Sequence, residues 1–220
     1  MIELKELQEY CKGKRIIIVG NSSRILNGKY RKDIDSYDIV VRINKGYLHR
    51  QNIFSDHIGT KTNILSLGLK SATFSANIIQ SNTVPYILSP IIYSERLDYD
   101  NVYDVDKETY NILKKELGGF KPSTGISTYN FFNRFINFER LDLIGFDFFE
   151  SSTRNRNQLG HCYVDDHHGV KEFKFFERTK DPEKTKLYHI EGGVGAAYEN
   201  INIPTHHHTH NYTIKNNKRR

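Results

Sequence analysis

Apolar positions along the chain fall into short unbroken runs separated by longer stretches with helical spacing. The runs are RIIIV (15–19), DIVVRI (38–43), TNILSL (62–67), VPYILS (84–89) and LDLIGFDFF (141–149). Short β-branched runs bounded by turn residues predict buried strands. Between them, residues 3–12 place Leu4, Leu7 and Cys11 on one helical face. Residues 106–119 do the same with Tyr110, Leu113 and Leu117, and Gly118-Gly119 stops that helix. Residues 123–138 carry a stripe of Ile126, Tyr129, Phe132 and Ile136. Residues 70–80 predict a further helix, and 167–180 begin as loop and become helix. The segment from 21 to 37 is a polar connection with room for a short helix. Strands alternating with helices predict an α/β fold. The expected form is one Rossmann-like domain over 1–203, with a mostly parallel sheet and helices on both faces. Residues 204–220 form a polar, His-rich, basic tail.

Composition supports a folded body. Of 220 residues 37% are hydrophobic, and 13 Phe with 14 Tyr supply core volume without Trp. The net charge of +6 favours anionic partners. No basic stripe is interleaved with aromatics, which argues against nucleic acid. No run reaches the roughly 18 apolar residues of a membrane helix, so no membrane span is expected, although peripheral membrane contact stays open. Two distant cysteines, Cys11 and Cys162, make no disulfide framework. The amphipathic N-terminus, mixed in charge, does not predict a signal peptide. These features predict a cytoplasmic protein in a reducing compartment.

In a parallel sheet, ligands sit outside the carboxyl ends of the strands. Gly20-Asn21-Ser22-Ser23 follows the first strand at that edge. Gly20 would let the backbone approach a ligand, and Ser22 or Ser23 would cap a helix or donate to a phosphate. The G-x-G-x-x-G dinucleotide fingerprint is absent. Arg42 and Asn44 end the second strand, and strand alternation points them the same way. Asn44 would then face the crevice with Asn21, two amides suited to a ribose or a base edge, or else cap a turn. Ser123-Thr124-Gly125 opens a helix, a position that serves equally as an N-cap and as a phosphate-binding N-terminus.

The segment 161–172 is the densest in titratable groups: His161, Asp165, Asp166, His167, His168 and Glu172. A neutral imidazole there suits a general base. Two other readings are a metal site from His161, Asp165 and His167, and a Ser123–His167–Asp165 hydrolase triad that lacks the G-x-S-x-G elbow. The His cluster at 205–210 could bind adventitious metal.

Taken in order, these segments resemble the sialyltransferases of glycosyltransferase family 29. IIIVGNSSRILNGKYRKDIDSYDIVVRINKG followed by IGTKTNIL is similar to the long sialylmotif of that family. KPSTGISTYNFF with LDLIGFDFF is similar to the short one. HCY (161–163) resembles the third motif, usually His-Tyr-Tyr, and His167 four residues before Glu172 resembles the very short His-x4-Glu motif. Bacterial family 42 sialyltransferases share the logic. The resemblance implies a glycosyltransferase A-like variant of the Rossmann-like fold. It implies CMP-sialic acid as donor, a glycan acceptor, inversion, no metal and no other cofactor. Gly20, Asn21, Ser22 and Asn44 would hold CMP, with Ser123, Thr124 and Gly125 against the nucleotide. His161 would stabilise the departing phosphate, His167 would deprotonate the acceptor, and Glu172 would position that segment. Cys162 departs from the third motif, the disulfide joining the long and short motifs of animal members has no counterpart, and His168 offers a second spacing to Glu172. The alternatives are an inactive CMP-sugar-binding module and a metal-dependent hydrolase.

Overall fold

A computed structural model describes residues 1–44, 54–68, 84–91, 100–148 and 167–190. Among these, seven strands form one sheet: β1 (Arg15–Val19), β2 (Ile39–Ile43), β3 (Ile64–Ser66), β4 (Tyr86–Ser89), β5 (Val102–Asp104), β6 (Arg140–Ile144) and β7 (Thr185–Tyr188). The order is β5-β4-β3-β2-β1-β6-β7, and every pairing is parallel. The sheet is thus wholly parallel in the described residues, where alternating strands and helices predicted it mostly so. The expected helix at 70–80 and the tail at 204–220 lie outside the described residues.

β1 is central and buried on both sides, which is why its sequence is a continuous apolar run. Ile16 and Ile18 join Val41, Leu141 and Leu143 in one core. That core is covered by α1 (Leu4–Cys11), α4 (Lys107–Glu116), α5 (Thr124–Phe135) and α6 (Gly169–Thr179). Ile17 and Val19 face a second core with Val40, Ile144, Ile25, Ile34 and Ile58. It is covered by a 3-10 helix (Ser23–Asn27), α2 (Arg31–Asp35) and α3 (Ser55–Ile58). Each fully buried isoleucine contributes roughly 1.5–3 kcal/mol. Burial of Cys11 in the first core pushes its thiol pKa up to about 12, so it is an inert packing group.

Asp142 of β6 is fully buried in a network that ties the β7 edge to the sheet. Its Oδ2 accepts from Arg140 Nε at 2.7 Å and Tyr37 Oη at 2.5 Å, and its Oδ1 accepts from Lys186 N at 3.0 Å. The network pairs a buried charge that would otherwise be costly.

From β1 the chain works outward through β5, then crosses back to place β6 and β7 on the other side of β1. The order therefore reverses between β1 and β6. A parallel sheet opens its ligand crevice at such a point, beyond the carboxyl ends of the strands.

Candidate active site

Two glycines close the floor of that crevice. Gly20 N donates to Ile144 O (2.8 Å) and Ser22 N to Gly145 O (3.0 Å), so the β1–β6 pairing runs past the strand ends. A Cβ on Gly20 would lie 2.3 Å from the Gly145 carbonyl oxygen. The close approach for which Gly20 is needed is thus to the neighbouring strand, a reading different from approach to a ligand. A Cβ on Gly125 would meet Cε1 of Phe146 at 2.7 Å, and one on Gly20 would meet Cδ2 of the same ring at 2.8 Å. The Phe146 ring sits between the β1 turn and the start of α5.

The two asparagines serve as braces. Asn21 Nδ2 donates to Ile43 O at 3.1 Å, linking the end of β1 to the end of β2. Asn44 has φ +49°, in the left-handed region that asparagine tolerates better than most residues. Its Oδ1 accepts from Gly68 N (2.7 Å), and its Nδ2 donates to Thr124 Oγ1 (3.2 Å). One amide therefore joins the ends of β2 and β3 to the first turn of α5. The left-handed turn also breaks strand alternation. Arg42, buried in β2, donates to Ile58 O (2.8 Å), Lys61 O (3.0 Å) and Thr62 Oγ1 (3.0 Å), away from Asn44. The expectation that Arg42 and Asn44 point the same way is thus corrected.

Ser22 caps the 3-10 helix, accepting from Arg24 N at 3.2 Å, and its hydroxyl donates to Asp147 Oδ2 at 2.8 Å. Arg24 Nε lies 4.0 Å from the same carboxylate oxygen. Arg24 and Asp147 escaped the sequence reading. The Gly-Phe-Asp after β6 was the available signal, since it follows the strand across the switch point. Beneath them is a cavity of about 10 Å³ between Ser22, Gly145 and His189, room for roughly one water.

Ser123 is the N-cap of α5, its Oγ accepting from Ile126 N at 3.2 Å. The same hydroxyl donates to Glu172 Oε2 at 2.7 Å, and Ser123 N donates to Glu172 Oε1 at 2.8 Å. Glu172 is 3% exposed on α6. Burial pushes its carboxyl up to about 7, partly offset by the two Ser123 donors. These bonds commit the Ser123 hydroxyl to Glu172 and the helix cap, an arrangement unlike a hydrolase triad.

His167 precedes α6, and its Nδ1 lies 2.7 Å from Lys121 O. A carbonyl only accepts, so Nδ1 carries the proton and Nε2 is the basic nitrogen of the neutral ring. Lys121 is two residues before Ser123, so His167 stands at the amino end of α5. His168 differs: its ring meets Phe120 edge-on at 4.7 Å, and its carbonyl accepts from Lys171 N and Glu172 N to start α6. His161, Cys162 and Asp165 lie outside the described residues, and with them the proposed phosphate contact and the remaining members of the metal set.

The ends of β1 and β2, the start of α5 and His167 thus converge at the switch point. Residues 4–103 match the model of glycosyltransferase family 29 (sialyltransferase). Over that stretch the chain is similar to the sialyltransferases of that family. The match takes in Gly20, Asn21, Ser22 and Asn44, and stops before Ser123, His167 and Glu172. A mammalian sialyltransferase in complex with Gal-beta-1-3GalNAc-ortho-nitrophenol is 19% identical to this chain, with a TM-score of 0.54 over 81% of this chain and 69% of that one. A second structure of a mammalian sialyltransferase is 18% identical, with a TM-score of 0.54 over 80% and 69%. A variant of the sialyltransferase CST-II in complex with CMP is 16% identical, with a TM-score of 0.51 over 80% and 81%. At these identities the likeness establishes a shared Rossmann-like, glycosyltransferase A-like fold. No curated protein sequence matches the chain.

Proposed function

We propose that the chain transfers a sialyl residue from CMP-sialic acid to a glycan hydroxyl, with inversion and without a metal. The observation that carries this reading is the convergence at the amino end of α5. Asn44 ties the sheet to Thr124, Glu172 holds Ser123, and the Lys121 carbonyl holds His167. A twelve-residue helix presents its first-turn N–H groups other than the capped Ile126 N, and its positive dipole, there. That end suits the phosphate of a nucleotide, and CMP is the ligand named for the CST-II structure.

In the proposed reaction the acceptor oxygen attacks the anomeric carbon of the donor as the bond to the phosphate oxygen breaks. The bonding electrons leave with CMP. The acceptor proton passes to Nε2 of His167, whose tautomer is set by the Lys121 carbonyl. A single displacement inverts the anomeric centre. Negative charge grows on the phosphate, where the α5 N-terminus, and by family resemblance His161, would stabilise it. Asn21 and Asn44 would contact the nucleoside while bracing the strands. Gly125 and Ser22 would shape the wall.

The test is transfer from CMP-sialic acid in the presence of EDTA, by wild type and by His167→Ala. Wild type is expected to transfer under chelation with inversion visible by NMR. The variant is expected to lose transfer while still binding CMP. Transfer that needs an added metal would favour the hydrolase-type reading, and undiminished transfer by the variant would remove His167 as base.

A further inference from the structure

The exposed large hydrophobic side chains among the described residues are Met1, Ile112, Phe120, Val170 and Phe173. Three of the five gather at the amino end of α6. Val170 is 58% exposed and Phe173 41%, three residues apart on one face of the helix. Phe173 packs its ring on Phe148 at 5.2 Å, and Phe120 lies against His168. Beside the apolar positions stand Lys171 and Lys174, both exposed. The only acid in the first two turns, Glu172, is buried and turned inward to Ser123. Among the described residues, the nearest acids on the outward side are already matched. Glu177 pairs with Lys180 at 2.7 Å, and Glu116 pairs with Arg134 and Arg178. Among the described residues, the outward face of α6 therefore sets two apolar groups beside two cationic ones, and its one exposed carboxylate, Glu177, is paired with Lys180.

We propose that this stripe docks the protein on an anionic lipid surface, with Val170 and Phe173 entering the interface and Lys171 and Lys174 meeting lipid phosphates. A helix that pairs apolar side chains with lysines matches the interfacial region of a bilayer. The size of the patch separates a membrane from a protein partner. A stable protein interface needs about 800 Å² on each side, and three partly exposed side chains fall far short. A bilayer accepts small insertions and adds electrostatic attraction from anionic headgroups. The proposal is independent of the transfer chemistry. It places the amino end of α6, just after His167, against the lipid surface.

The experiment is co-sedimentation of the full chain with phosphatidylcholine vesicles and with vesicles containing phosphatidylglycerol. Two double variants are compared with wild type: Val170→Ser with Phe173→Ser, and Lys171→Gln with Lys174→Gln. All four positions are exposed, and far-UV circular dichroism verifies folding. Wild type is expected to partition onto the anionic vesicles and only weakly onto the neutral ones. The lysine pair should lower partitioning about 25-fold at low salt, from about fivefold per lysine. The apolar pair should lower it on vesicles at high salt as well. Wild type remaining in the supernatant with anionic vesicles would overturn the proposal. So would partitioning that neither pair changes, which would assign binding to another region such as the basic tail. A soluble oligosaccharide whose affinity falls in the apolar pair, without vesicle binding, would make the patch a glycan shelf and also overturn it.

Discussion

The carboxylate of Glu172 accepts both the backbone N–H and the hydroxyl of Ser123, at 2.8 and 2.7 Å. The two residues are separated by 49 positions in the chain. This pairing locks the amino end of α5, where a phosphate would bind, to α6, where His167 begins the approach to the helix.

Glu172 should make stability depend on pH. Its pKa is raised from 4.5 to about 7 by burial. Between these values the folded protein retains a proton that the unfolded chain has released. Stability therefore falls as pH rises from about 4.5 to 7, by on the order of 3 kcal/mol in all. Glu172→Gln removes this titration and keeps an acceptor for Ser123 N. Denaturant midpoints should then be flatter across that window, with the variant no less stable than wild type at pH 8. A wild-type midpoint that rises through the same window would contradict the assignment.

Asn44 combines a backbone demand with a side-chain demand, and two substitutions separate them. Asn44→Ala keeps neither the amide nor a comfortable left-handed backbone, and should cost about 2–4 kcal/mol of stability. Asn44→Gly relieves the backbone and should cost about 1–2 kcal/mol less. Both lose the bonds to Gly68 and Thr124, so both should weaken CMP binding alike. Equal stability of the two variants in urea unfolding would show that the backbone conformation is not the cause.

The two glycines flanking Phe146 should respond differently to alanine. At Gly20 the new Cβ meets a backbone carbonyl at 2.3 Å. The strand ends must separate, at about 2–3 kcal/mol. At Gly125 the nearest atom is the edge of the Phe146 ring at 2.7 Å, which a small rotation relieves, so the loss should stay below about 1.5 kcal/mol. Thermal melts of Gly20→Ala and Gly125→Ala check the order, and a reversed order would refute it.

Much of the architecture is legible because the central strands are buried on both faces. β1 and β2 are runs that a water-facing strand would not carry, and α5 shows a helical stripe. β5 and β7 are not legible, since a three-residue VYD and a four-residue TKLY carry too few apolar positions for a period. β7 is fixed instead by the Lys186 N bond to Asp142 and by pairing along β6. At the site, Asn21, Asn44 and Ser123 are marked by being poor strand residues or helix caps at the right edge. The direction of Asn44 is hidden, because nothing local announces the left-handed turn that separates it from Arg42. The Ser123–Glu172 bond is hidden for a different reason: it forms only when α6 packs beside α5. Arg24, Asp147 and Phe146 gain their places from the β1–β6 neighbour relationship, which chain order alone does not reveal.

The central claim is that the crevice beyond β1 and β2 is a CMP-sugar donor site. Calorimetric titration of CMP into the protein in EDTA, with UMP and GMP as controls, tests it most directly. The account predicts saturable binding of CMP, weaker binding of both controls, and a marked loss of CMP affinity in Asn44→Gly. No binding of CMP, or equal binding of all three nucleotides, would contradict it and leave the fold without the assigned donor.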